Sequence, residues 1–260
     1  MSTLLDRARA AEPLGIDIID MHGHLGRLAF AIPDLSPEGL VASMDRLGIR
    51  TIVCSHMRCM SRDVEYGNAE VLRAVRACPG RILGYVSVYP SDPDSVRRGV
   101  EKWLAAGLTG LKMHNINGFP YTDPAYAPAL AIADERRLPV LLHTWGQDDE
   151  FEQVRALSER HPGAALLLAH SGATNEDRYI AIVGQCPNVH LELCGSASAY
   201  GQVARFVAAV GAEKLVWGSD AYFISNAQQL GKVVGADIPD ETKVQILSAN
   251  ALRILDRIRP

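Results

Sequence analysis

Ile16-Asp17-Ile18-Ile19-Asp20-Met21-His22-Gly23-His24 is an apolar run closed by two histidines. In an extended strand alternate side chains share a face, so His22 and His24 project from one side. Two imidazoles on one rigid strand supply half of a tetrahedral site for a divalent ion, although a polar edge pair is the plainer reading of the same residues. What closes the other apolar runs of the chain decides between the two.

Seven further runs rich in leucine and β-branched residues follow, at 51–55, 82–88, 110–114, 140–143, 165–170, 189–193 and 215–218. Their starts are spaced roughly 25 to 35 residues apart, the repeat of a strand-loop-helix unit. Ser36-Pro37-Glu38 and Asp92-Pro93-Asp94 read as helix starts between them. Eight such units in 260 residues predict an α/β fold, a single (β/α)₈ TIM barrel spanning residues 1–260. An open doubly wound sheet would carry a Gly-rich phosphate turn, and no Gly-x-Gly-x-x-Gly or Walker sequence is present.

Composition narrows the function. The formal charge is −4 with no basic patch, which argues against nucleic acid as a partner. No stretch approaches the ~18 apolar residues of a membrane span. Residues 1–13 mix Asp6, Arg7, Arg9 and Glu12 into a helical-looking segment without the apolar core of a secretory signal. Five cysteines without a Cys-x-x-Cys pair suit a reduced, cytoplasmic chain, with Cys54 and Cys194 read as small buried hydrophobes.

In such a barrel the active site lies at the carboxyl ends of the strands. Those ends carry His22 and His24, Ser55 and His56, Lys112 and His114, His143, His170, Glu192 and Asp220. Five of the eight histidines close four of the eight runs. His143 or His170 alone would read as a satisfied core histidine. With His22, His24 and Asp220 they converge on one barrel mouth as a three-histidine, one-aspartate set with a histidine to spare, the donor chemistry of a divalent metal site.

Asp20-Met21-His22-Gly23-His24, Gly110-Leu111-Lys112-Met113-His114, Leu138 to Thr144, Leu168-Ala169-His170-Ser171-Gly172, Leu215 to Asp220 and Asn250 to Leu255 resemble, in order and spacing, the amidohydrolase superfamily. The resemblance is to its amidohydrolase-related branch, which includes hydrolases and metal-dependent decarboxylases similar to aminocarboxymuconate semialdehyde decarboxylase. It implies that His22, His24, His143 and Asp220 hold one divalent ion, usually zinc, with manganese, iron or cobalt suited to the same donors. It also implies that Asp220 takes a proton from the metal-bound water and that His170 activates water or polarises the substrate.

Other residues at the mouth leave alternatives open. Lys112 is read as an unmodified lysine that positions an anionic substrate or pairs with a carboxylate, against a carboxylated lysine bridging two metals. His114 shares its face and lines the mouth or hydrogen-bonds a ligand. Asp20 is expected to be a buried hydrogen-bonding group, and Glu192 stands where the branch would have an aspartate. Arg58 and Arg62 either bind a substrate carboxylate or pair with Asp63 and Glu65 in a solvated loop. Trp145, Phe119, Tyr121, Tyr222 and Phe223 form an apolar wall over a ring-bearing substrate or pack loop against loop.

Three functions fit these residues. The first is a metal-dependent hydrolase acting on an amide, ester or lactone of a small, carboxylate-bearing molecule. The second is a non-oxidative decarboxylase or related lyase of an aromatic or unsaturated acid. The third is a non-catalytic barrel that binds a metal or ligand, disfavoured because the proton-handling pair His170 and Asp220 is present. Exposed helices on such a barrel also offer surface for a homo-oligomer.

Overall fold

In the computed structural model, which describes residues 2–28, 31–195 and 197–260, the eight predicted strands are all present. They are β1 (Ile18–Leu25), β2 (Ile49–His56), β3 (Ile82–Ser87), β4 (Gly110–Met113), β5 (Pro139–His143), β6 (Ala165–Ala169), β7 (Val189–Glu192) and β8 (Leu215–Val216). Each pairs in parallel with the next, in the order of the chain.

Helices fill the crossovers that parallel pairing requires. A short α1 (Leu4–Arg9) precedes β1. The crossovers carry α2 (Pro37–Asp45), α3 (Val64–Ala77), α4 (Pro93–Ala106), α5 (Ala127–Arg136), α6 (Asp148–Arg160), α7 (Glu176–Gln185) and α8 (Gln202–Val210). After β8 come α9 (Asn226–Val234), α10 (Asp240–Val244) and α11 (Asn250–Asp256). The expected starts hold: Ser36 and Asp92 cap α2 and α4 through their side chains, each with proline in the first turn.

Apolar burial forms two layers. Ile19, Met21, Val53, Tyr85, Leu141, Leu167 and Val216 fill the lumen, closed at its base by Ala251 and Ile254. A larger layer, including Ile52, Val86, Leu111, Leu142 and Leu168, packs sheet against helices. This two-sided burial is why the strands read as continuous apolar runs.

The barrel closes irregularly, and the irregularity builds the site. The amide N–H of Met21 donates to the Trp217 carbonyl at 3.0 Å, that of Asp220 to the His22 carbonyl at 2.7 Å, and that of His24 to the Ala221 carbonyl at 2.5 Å. The seam between β1 and the segment after β8 therefore carries His22, His24 and Asp220 together. The β1–β2 pairing also shifts register between Asp20 and Gly23. Such a bulge re-aims side chains. Ile19 and Met21 pack in the lumen, whereas a Cβ on Gly23 would run into Ile52 Cγ1 in the outer layer at 2.8 Å. Gly23 thus points outward and His22 and His24 inward, which uninterrupted alternation from Ile19 would have reversed.

Candidate metal centre

His22 Nε2 and His24 Nε2 face each other at 3.1 Å, and Asp220 Oδ1 lies 3.2 Å from His24 Nε2 and 3.7 Å from His22 Nε2. An ion about 2.0 to 2.2 Å from each of three donors spaces them roughly 3.0 to 3.5 Å apart. Two imidazole nitrogens and a carboxylate oxygen at these separations therefore fit one divalent ion. The second nitrogen of each histidine is engaged, His22 Nδ1 by Glu192 Oε2 at 2.9 Å and His24 Nδ1 by the Ser55 hydroxyl at 3.0 Å. Asp220 sits at φ 57°, a left-handed conformation that turns its carboxylate into the mouth.

His143 does not join these donors directly. Its Nδ1 lies 3.2 Å from His170 Nε2, while its Nε2 is buried without a partner among the described residues. Its ring is stacked on His114 at 3.9 Å and meets Trp145 edge-on at 4.2 Å. The Tyr121 hydroxyl donates to its carbonyl at 2.6 Å. An unpaired buried nitrogen on a ring held from both sides is a donor ready for a ligand. His170, also left-handed at φ 63°, links His143 to the cluster, its ring centre 5.2 Å from that of His22.

Lys112 is fully buried, with Nζ 3.4 Å from His22 Nε2. Burial lowers its pKa, and no carboxylate among the described residues lies within ion-pairing distance. Burial likewise drives His22, His143, His114 and His170 toward the neutral, ligand-competent form, with the Lys112 charge adding to the effect. Burial alone would raise Asp220, but the His24 hydrogen bond and the neighbouring imidazoles hold its carboxyl below the usual range. Asp20 is pushed up to about 7 by burial, and its Oδ1 accepts from the amides of His22 and Ser219, each at 3.0 Å.

The arginines after β2 are not brought to this cluster. Arg58 reaches toward Asp63 at 4.0 Å and lines a separate cavity of about 300 Å³ with Gly26, Arg27, His56 and Tyr66. Arg62 Nε–H donates to the Tyr89 hydroxyl at 3.2 Å. Of the five aromatic residues expected at the mouth, Trp145 is 48% exposed beside His143 and Phe223 lies against His24 at 5.5 Å. The Tyr222 hydroxyl donates to the Ser36 carbonyl at 2.5 Å, and Phe119 packs on Tyr89.

Cys194 departs from its reading as a small hydrophobe. It is buried, but its thiol donates to Glu192 Oε2 at 2.9 Å and sits 3.1 Å from His170 Nδ1. Burial pushes that thiol far above its usual pKa. Neither this contact nor the hydroxyl of Ser55 on His24 has a sequence signal beyond position at a strand end.

An amidohydrolase family model matches residues 19–257. The chain belongs to the amidohydrolase family. It is accordingly an enzyme of a metal-dependent superfamily. No curated protein matches it. Among solved structures it is similar to 5-carboxyvanillate decarboxylase from Sphingomonas paucimobilis, at 16% identity and TM-score 0.71, covering 94% of this chain and 100% of that one. A dihydroxybenzoic acid decarboxylase from Polaromonas with bound manganese matches at 15% identity and TM-score 0.73, over 94% and 98%. A probable 2-pyrone-4,6-dicarboxylic acid hydrolase from Acinetobacter baumannii matches at 14% identity and TM-score 0.71, over 93% and 100%. These likenesses establish a shared barrel. Among the described residues no helix is long and apolar enough to cross a membrane.

Proposed function

We propose that this amidohydrolase hydrolyses an amide, ester or lactone bond in a small, carboxylate-bearing substrate. The observation that carries the reading is the placement of Asp220: its carboxylate stands beside two facing imidazole nitrogens, with 13% of its side chain open to the mouth. A proton acceptor is thus held where an attacking water would lose its proton. His22, His24, His143 and Asp220 would hold one divalent ion, for which zinc is the first choice and manganese, iron or cobalt suit the same donors. Bound there, the ion would supply Lewis acidity and lower the pKa of a water from ~15.7 toward ~7.

The chain's own groups then divide the work. Asp220 accepts the proton as the water oxygen bonds to the substrate carbonyl carbon, and returns it to the leaving nitrogen or oxygen as that bond breaks. His170, beside the cluster, hydrogen-bonds the oxygen on which charge develops. Lys112 offers a cation to the substrate carboxylate, with His114 and Trp145 bounding the slot.

A second reading rests on the His114, His143 and Trp145 rings, which present a flat aromatic face beside the cluster. A planar acid stacked there would lose carbon dioxide by cleavage of its carbon–carboxylate bond while the ring carbon gains a proton that Asp220 relays from a water, leaving hydroxide. Zinc- and manganese-loaded protein, assayed against a panel of lactones, esters, amides and aromatic acids, separates the two. Hydrolysis without carbon dioxide release supports the first reading. Carbon dioxide from an aromatic acid, with no hydrolysis, replaces it with the second. A reduced cytoplasmic setting accords with all five cysteines being unpaired.

A further inference from the structure

Glu192 is a fully buried carboxylate surrounded by hydrogen-bond donors. Its Oε2 lies 2.9 Å from His22 Nδ1, accepts from the Cys194 thiol at 2.9 Å and faces the His170 amide N–H at 3.4 Å. Its Oε1 accepts from the Cys194 amide N–H at 2.8 Å. The opposite edge of His22 is turned to Lys112, whose Nζ stands 3.4 Å from His22 Nε2. Lys112 Nζ carries N–H donors, and donation to Nε2 uses the imidazole lone pair there, which leaves the ring proton on Nδ1, 2.9 Å from the Glu192 carboxylate oxygen.

From these two contacts we infer that Glu192 is the positioning residue that fixes His22 in its Nδ1-protonated tautomer and so keeps Nε2 bare for a divalent ion. It touches neither ion nor substrate and acts through His22. A carboxylate that orients a metal-bound imidazole raises its basicity and fixes its ring angle. A carboxylate rather than an amide is needed because every neighbour of its two oxygens donates. In Glu192→Gln the NH₂ group must face either the Cys194 amide, against which it cannot bond, or His22 Nδ1. Facing Nδ1, it reverses the tautomer and aims the Nε2 proton at the ion position. Space is also fixed: a Cβ on Gly218 would lie 2.6 Å from the His22 Cβ and 2.9 Å from the Glu192 Cδ, so neither side chain has room to swing aside.

The inference rests on the metal-binding reading of His22 but is tested separately from it. Nitrogen-15 NMR of the metal-free wild-type protein reports the tautomer directly, with the His22 signals assigned by their loss in His22→Gln. The Nδ1-protonated form is expected, and the Nε2-protonated form overturns the inference whether or not Glu192 variants fold. Zn²⁺ affinity, measured by chelator competition, should then fall about 10- to 100-fold in Glu192→Gln. Glu192→Asp, which keeps an acceptor-only group, should recover part of the loss. Equal affinity in wild type and Glu192→Gln overturns the inference, whereas equal affinity in wild type and His22→Gln overturns the metal-site reading instead.

Discussion

Lys112 Nζ stands 3.4 Å from His22 Nε2 inside a barrel mouth where the lysine is wholly buried and, among the described residues, meets no carboxylate at ion-pair distance. A buried cation without a counter-ion costs folding free energy, and burial lowers its pKa accordingly. An apolar group of similar volume at the same place carries no such desolvation cost. Lys112→Met should therefore raise the melting temperature of the metal-free protein while lowering turnover of the carboxylate substrate. Thermal unfolding and steady-state kinetics on the same preparation check both halves. A destabilised variant would mean that the lysine is compensated, as a carboxylated lysine bridging two metals would be.

Asp220→Asn removes the proton acceptor and leaves its shape. Loss of general-base catalysis costs about 10²- to 10⁴-fold in kcat, so near-complete loss of turnover is expected with the circular dichroism spectrum unchanged. Retained activity in this variant would place the proton transfer elsewhere.

Trp145 is held at the mouth by three bonds: its indole N–H donates to Asn115 Oδ1 at 2.9 Å, its amide N–H to Glu150 Oε2 at 2.9 Å, and its carbonyl accepts from the Thr174 hydroxyl at 2.8 Å. A large, half-exposed ring pinned this way serves as a fixed wall. Aromatic contact is worth about 0.5 to 1.5 kcal/mol beyond burial, so Trp145→Leu should raise KM for a planar substrate about 2- to 10-fold with kcat little changed. Asn115→Ala should shift KM in the same direction by less. A kcat effect larger than the KM effect would assign the indole a role in the chemical step.

The barrel could be read along the chain because two-sided burial gives each strand an unbroken apolar run, and because β1 through β8 recur at a nearly constant interval. The gathering of histidines at run ends was legible for the same reason, since an imidazole that closes a leucine-rich strand interrupts the pattern. Three features were not. The register shift between Asp20 and Gly23 depends on how β1 pairs with β2, a relation between distant segments. The Glu192–His22 contact joins β7 to β1 across 170 residues. Arg58 and Arg62 were legible only as cations after β2; which way their loop turns depends on Asp63 and Tyr89.

Acid should destabilise the fold through His190. This β7 residue is buried, its Nδ1 has no partner among the described residues, and burial together with Lys214, Arg253 and Arg257 lowers its pKa to about 4. In the unfolded chain it would take up a proton below pH ~6.5, while the folded state resists until about pH 4. Stability is therefore unaffected above pH ~6.5 and falls as pH drops through that window, by about 3 kcal/mol for this residue. Urea unfolding at pH 7, 5.5 and 4 should show a smaller loss in His190→Gln than in wild type. Parallel losses would exclude His190 as a contributor.

The central claim is that the β1–β8 seam builds a site for one divalent ion. Anomalous scattering from crystals of the zinc-loaded protein tests it most directly. One peak per chain is predicted, bounded by His22 Nε2, His24 Nε2 and Asp220, with His143 turned to meet it. No peak between those residues, or a peak on the Cys194 side of His22, would contradict the account.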